Sequence, residues 1–313
     1  MTFNSNVQID AGRARRGGGG GMGRGVAIGG GGGLLALLLA IFAPGWADQL
    51  GVDTGAGSGM GQYRQQYPTG GGSTLPASEC STGADANRSV DCRVIATTES
   101  ADAFWGAYMA QHPSVDWRQP DLTLFSRTVT TGCGAATSAT GPFYCPADES
   151  MYFDTDFFAT LSTDFGATGG PLAEEYIVAH EYGHHVQNVV GWLRYSQDGR
   201  TGPDSNAVRA ELQADCLAGM WAGHAATTVD PESGEPYLQP ISREELAQAI
   251  DAAGAVGDDR IQERYRGRVN PEGFTHGTAE QRQAWFMRGY QTSAEREPDI
   301  NQCNTFQAAS LDL

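Results

Sequence analysis

Residues 172–190 read LAEEYIVAHEYGHHVQNVV, and the reading of this stretch decides the rest. Pro171 opens it, Gly191 closes it, and apolar residues recur through it at helical intervals, so it reads as one long helix. His180 and His184 stand four residues apart, one turn along a single face. Imidazoles so placed can reach one zinc ion. Glu181, beside the first histidine, can reach a metal-bound water as general base.

A catalytic zinc usually takes three protein ligands and a water. The next helical pattern, from about Ser205 to His224, contains Glu211-Leu212-Gln213-Ala214-Asp215. Glu211 would complete a two-histidine, one-glutamate set. Asp215, one turn further on the same face, can hydrogen-bond the second ring nitrogen of a ligand histidine and fix its tautomer. Ala210, Leu212, Ala214, Leu217 and Ala218 make this segment read as buried, and a buried acid needs a partner. A metzincin would carry Gly and His where this chain has Gln187 and Val190, which excludes that class. His276, in Phe274-Thr275-His276-Gly277, is a candidate donor to the oxyanion of a tetrahedral intermediate, and equally a residue of the following helix cap. Tyr182 and Tyr290 are further candidates for that donor. His185 turns away from the His180–His184 side and reads as exposed.

Outside these helices the pattern is mixed. Residues 101–111 read as a helix and 122–130 as a strand, followed by a small-residue loop over 132–142. Short strands are expected at 143–144 and 150–154, the latter as an edge strand able to pair with an extended peptide. Further helices start at Ser242 and Thr278, each with a capping box, to Glu245 and to Gln281. Few strands followed by many helices indicate an α+β body.

The chain has 313 residues, with 20 basic and 37 acidic side chains and a formal charge of −17. Residues 48–313 carry −20 of that balance, which argues against nucleic acid as a partner. Of 43 glycines, 22 fall in the first 72 positions, so the excess belongs to a segment. Residues 1–24 read as a disordered, basic, Gly-rich cytoplasmic tail with Arg13, Arg15, Arg16 and Arg24. Residues 25–47 are free of charge and contain LLALLLAIFA at 34–43, which reads as a transmembrane anchor or a signal segment. The long basic stretch before it favours the anchor, giving a single-pass membrane protein with its body on the extracytoplasmic side; cleavage would instead give a secreted protein. Residues 48–93 read as a Gly/Ser-rich linker and 94–313 as the working domain.

An even number of cysteines in an exported chain suggests disulfides. Six cysteines allow about 15 connectivities. Proximity suggests Cys80–Cys92 and Cys133–Cys145, which leaves Cys216–Cys303.

The runs from Cys133-Gly134 to Cys145-Pro146, HEYGHHVQN at 180–188, ELQADCLAG at 211–219 and GFTHGTAEQRQAWFMRGY at 273–290 resemble one family in its order. It is the family of putative neutral zinc metallopeptidases, and the similarity covers about residues 94–306. The resemblance implies a membrane-anchored bacterial protein with a zincin-like domain. It implies zinc bound by His180, His184 and Glu211, with Glu181 catalytic, and counterparts of Cys133, Cys145, Cys216 and Cys303. The expected activity is peptide-bond hydrolysis on a peptide or protein substrate. A zinc-stabilised scaffold with a vestigial site, or a hydrolase of a non-peptide cell-wall amide, remain as alternatives.

Overall fold

The computed structural model describes residues 2–17, 73–74, 80–295 and 297–313. Its strands are β1 (Ala14–Gly17), β2 (Ser73–Thr74), β3 (Asp121–Phe125), β4 (Thr128–Thr131), β5 (Gly134–Thr137), β6 (Phe143–Cys145) and β7 (Ser150–Asp154). Five of them make a sheet in the order β2-β1-β3-β7-β6, while β4 and β5 form a separate hairpin. β1, β3 and β7 run parallel, with Leu122 opposite both Ala14 and Met151; β6 runs antiparallel to β7 and forms one edge.

The helices are α1 (Gly83–Ala86), α2 (Val90–Ala110), α3 (Phe157–Thr163), α4 (Pro171–Val189), α5 (Asn206–Ala225), α6 (Arg243–Ala255), α7 (Asp258–Arg266) and α8 (Ala279–Glu295). The body is mixed α and β, compatible with the α+β expectation. Both long central helices start where the sequence signals it. Pro171 lies in the first turn of α4, and the Ser205 side chain caps α5 by accepting the Val208 N–H. Two glycines let helices meet backbone to backbone. A Cβ on Gly183 of α4 would sit 3.0 Å from the Ala214 carbonyl of α5, and one on Gly289 of α8 would sit 1.9 Å from the Cys216 carbonyl. Trp105, Trp221 and Trp285 fill the interior around this stack. The burial of the last two is tolerable because the indole N–H of Trp221 donates to Ser100 and that of Trp285 to the Leu311 carbonyl.

The amino-terminal expectation is corrected. Residues 2–17 are part of the fold: Phe3, Val7, Ile9, Ala11 and Ala14 are buried, and β1 lies between β2 and β3. Three of the four arginines expected to hold a cytoplasmic tail find acids of the body instead, and Arg24 lies outside the described residues. Arg13 pairs with Asp102, Arg15 with Asp121 and Arg16 with Asp91. The average composition hid apolar residues spaced along a short extended segment. Residues 2–17 and the body therefore stand together, where the single-pass topology would put a membrane between them and signal cleavage would remove β1. Among the described residues no helix is long and apolar enough to cross a membrane. Segment 25–47 lies outside the described residues. The transmembrane, membrane-partner and cell-membrane expectations are withdrawn on these findings.

The linker also ends earlier than expected. Residues 80–93 are structured, with α2 beginning at Val90 under a Ser89 cap rather than near Ser100. Burial of most of α2, from Cys92 to Met109, explains the miss, since a helix covered on many sides shows no polar face to mark its period. The strand expected over 122–130 breaks at Arg127, whose φ is +69°, and its second half turns back as the hairpin β4–β5. Strand 150–154 is interior; the edge is β6. The disulfides are Cys80–Cys92, Cys133–Cys145 and Cys216–Cys303.

Candidate metal centre

α4 and α5 pack so that His180, His184 and Glu211 face one another at the floor of a cleft. His180 Nε2 lies 3.2 Å from Glu211 Oε2, and His184 Nε2 lies 3.4 Å from Glu211 Oε1. Two atoms each about 2.1 Å from a tetrahedral zinc stand about 3.4 Å apart, so the spacing suits such an ion. One ligand atom from each residue lies within 4.8 Å of the others. Glu211 Oε1 is buried and finds no hydrogen-bond partner, which is costly for a carboxylate unless a cation takes it. The donor set therefore fits a divalent metal.

The other ring nitrogens are fixed. His180 Nδ1–H donates to Asp215 Oδ1 at 2.8 Å, and His184 Nδ1–H donates to Gln187 Oε1 at 2.8 Å. Each bond sets the tautomer that leaves Nε2 free for a metal. Gln187 is itself held, since its amide donates to the Ala210 carbonyl and to Gln213 on α5. Asp215 also accepts from the Tyr176 hydroxyl at 2.6 Å and from Arg282 Nε at 2.8 Å. Burial opposes the charge of Glu211, but His184 and His180 outweigh it and hold the carboxyl well below its ordinary range. Burial likewise opposes a charge on His180, yet Asp215 and Glu211 raise it to about 9. An environment that draws a proton so strongly draws a metal cation for the same reason.

Glu181 sits beside this set in the cleft, 8% exposed. Burial raises its pKa, against the two histidines and the Tyr144 backbone N–H of β6. His276 lines the same cleft. The Asp258 carboxylate organises its loop: Oδ2 accepts the backbone N–H groups of Thr275, His276 and Gly277, and Oδ1 accepts from His276 Nδ1 at 3.0 Å. His276 Nε2 is buried without a hydrogen-bond partner. Burial opposes a charge on its ring, but Asp258 outweighs this and raises its pKa, favouring the form that donates from Nε2. Tyr182 is fully buried on Asp102, and neither it nor Tyr290 lines the cleft.

His185 is a correction: it is fully buried. Its Nε2–H donates to the Arg118 carbonyl at 2.7 Å, and the Tyr144 hydroxyl donates to Nδ1 at 3.1 Å. Burial pushes its pKa down to about 4, so it is a neutral clamp of β6 onto α4. Sequence reasoning also missed Arg282, which is 3% exposed and lines the cleft. Its only signal was an arginine on the helical face of α8 that also carries buried Trp285 and Phe286. Pro142, Phe157, Ile177 and Val256 complete the cleft as apolar walls from four separate parts of the chain, and such long-range convergence leaves no local pattern.

The uncharacterized protein Rv2575 of Mycobacterium tuberculosis is 51% identical over 315 aligned residues, covering 99% of this chain and 100% of the relative. The uncharacterized protein YpfJ of Escherichia coli is 40% identical over 218 residues, covering 68% of this chain and 69% of the relative. No solved structure matches the chain. The sequence pattern of the family described as putative neutral zinc metallopeptidase matches residues 3–306, and this chain belongs to that family.

Proposed function

We propose that the chain is a zinc-dependent peptidase, with His180, His184 and Glu211 as ligands, Glu181 as proton carrier and His276 as oxyanion donor. The observation that carries this reading is the convergence of three buried ligand atoms beside Glu181 in one cleft. When bound, the metal would polarise the scissile carbonyl and make a water acidic near neutrality. Glu181 accepts the proton of the attacking water and returns it to the leaving amine; its raised pKa suits a group that must do both. His276 donates from Nε2 to the oxygen on which charge develops, held in place by Asp258. An extended peptide is the substrate form that fits, lying along β6, the sheet edge whose Tyr144 backbone N–H faces Glu181. The charge of −17 argues against nucleic acid.

The test is cleavage of a peptide library by the zinc-loaded full chain and by two variants. Glu181→Gln should keep its zinc and lose at least about a hundredfold in kcat, in line with general-base removal. Glu211→Ala should lose zinc. Equal activity of Glu181→Gln and the parent would refute the mechanism, and zinc binding without cleavage by the parent would favour a scaffold.

A further inference from the structure

The helix that carries the ligand histidines is tied to the first residues of the chain. Tyr182 is fully buried, and its hydroxyl donates to Asp102 Oδ1 of α2 at 2.7 Å. Asp102 in turn accepts from Arg13, with Nε 2.8 Å from Oδ2 and Nη2 3.3 Å from Oδ1. Arg13 Nη2 also donates to the Pro120 carbonyl at 2.6 Å, at the start of β3. Arg13 is itself well anchored. Phe3 and Val7 before it are fully buried, and Ala14 after it enters β1. The Phe3 N–H and carbonyl both bond the Asn87 side chain, and the Ile9 N–H donates to the Ser81 carbonyl.

A second chain of the same composition holds the same helix elsewhere: Tyr176 to Asp215 to Arg282. Tyr176 and Tyr182 point about 120° apart around α4 at about 100° per residue. With the His185 clamp to β6, these two attachments hold the helix from different sides and set its angle about its axis. The angle matters because imidazole tips lie about 5–6 Å from the axis, so a turn of about 10° moves them about 1 Å.

We infer that Arg13 is a positioning residue of the metal centre: through Asp102 and Tyr182, the amino-terminal segment fixes the rotation of α4 and so the aim of His180, Glu181 and His184. The inference rests on the metal-centre reading above. It makes residues 2–17 a working part of the site, although none of them lines the cleft.

The experiment uses the full chain, with Arg13→Met, Tyr182→Phe, their double variant, Arg13→Lys, and Arg16→Met as a control on the neighbouring pair with Asp91. Two readouts are taken: the rate of zinc loss to a chelator, and kcat and KM on a cleaved peptide. Arg13→Met and Tyr182→Phe should each lower kcat about tenfold, as misplacement of a reacting group does, and leave KM within about twofold. Both should release zinc several-fold faster, and the double variant should be no worse than the worse single, because both break one chain of contacts. Arg13→Lys should recover part of the loss, and Arg16→Met should match the parent. Parental zinc release and kcat in Tyr182→Phe, or effects that simply multiply in the double variant, would overturn the inference. If Arg13→Met does not fold, Tyr182→Phe decides, since it removes one oxygen and leaves the Arg13–Asp102 pair in place. If the parent cleaves no peptide, the peptidase reading fails and zinc release alone decides the inference.

Discussion

Tyr176–Asp215–Arg282 and Tyr182–Asp102–Arg13 are the same device used twice on one helix, in opposite electrostatic settings. Both aspartates are buried, accept a tyrosine hydroxyl and face an arginine at 2.8 Å. At Asp215, burial opposes the charge, but Arg282 and His180 together outweigh it and hold the pKa at about 2. At Asp102, burial prevails over Arg13 and Tyr182, and the pKa is raised. The cation count makes the difference, since Asp215 has an imidazole as well as a guanidinium while Asp102 has the guanidinium alone. Arg282 is also 3% exposed, against 16% for Arg13. The attachment facing the cleft is thus a committed ion pair that belongs to the metal site. The one behind it is weaker and reaches solvent through the amino-terminal segment.

Breaking the committed pair should give the largest effect. Arg282→Met leaves Asp215 buried without its guanidinium, which costs about 3–5 kcal/mol of stability for a pair of this kind. It also frees Asp215 to move from His180, and loss of such support weakens metal binding about 10–100-fold. Thermal unfolding and zinc competition measure the two losses; an unchanged zinc affinity would mean that Asp215 holds His180 without help.

A disulfide ends on the helix of each aspartate, and their loops differ in length. Cys216 follows Asp215 and closes a separation of 87 residues to Cys303, whereas Cys92 begins the helix of Asp102 and closes 12 residues to Cys80. The chain-entropy account gives about 4–5 kcal/mol for the longer loop and about 3 kcal/mol for the shorter. Replacing each pair by alanines and measuring urea unfolding should rank them in that order. A reversed order would say that the amino-terminal side depends on its cross-link more than loop length allows.

The comparison also marks how far the sequence could be read. The His180–His184 spacing, Glu181, Glu211 and Asp215 are local patterns on two helices, and the structure brings them to one place because period alone puts each on an inward face. The capping serines and threonines marked helix starts for a similar reason, since the signal lies within four residues. Arg282 and Asp258 carry no such signal, because each is defined by a partner on another element, and Gln187, one turn from His184 on α4, is held in place by Ala210 and Gln213 of α5. His185 was misread because its exposure was inferred from helix angle, while burial is decided by β6 and Trp117 packing over that face. Arg13 was hidden furthest. It lies in a basic, glycine-rich run that reads as unstructured until Asp102 is seen to face it.

The smallest expected effect separates the two attachments by pH. Glu99, one turn before Asp102 on α2, accepts the Asp10 N–H at 2.8 Å and so holds the amino-terminal segment just before Arg13. Its carboxyl is raised to about 8, chiefly by burial, with Asp102 and Asp10 adding to the rise and the Asp10 N–H and Arg13 opposing it; Tyr237, between α5 and α6, also interacts with it. Between about 4.5 and 8 the native state therefore keeps a proton that the unfolded chain has released. Stability must then fall as pH rises through that interval. Asp215 stays charged throughout it, so the Asp215–Arg282 pair should not respond. Urea unfolding of the full chain at pH 5 and pH 8 reads the slope, and amide exchange corrected for its intrinsic pH dependence reads the place. Protection over residues 3–14 should drop at pH 8. Glu99→Gln should remove the drop over residues 3–14 and flatten part of the slope, because an amide keeps the acceptor for Asp10 and cannot ionise; the rest of the slope belongs to groups such as Glu175 and His180, whose pKa values also rise on folding. A Glu99→Gln protein with the parental slope would assign the effect to another group and leave the two attachments alike in their response to pH.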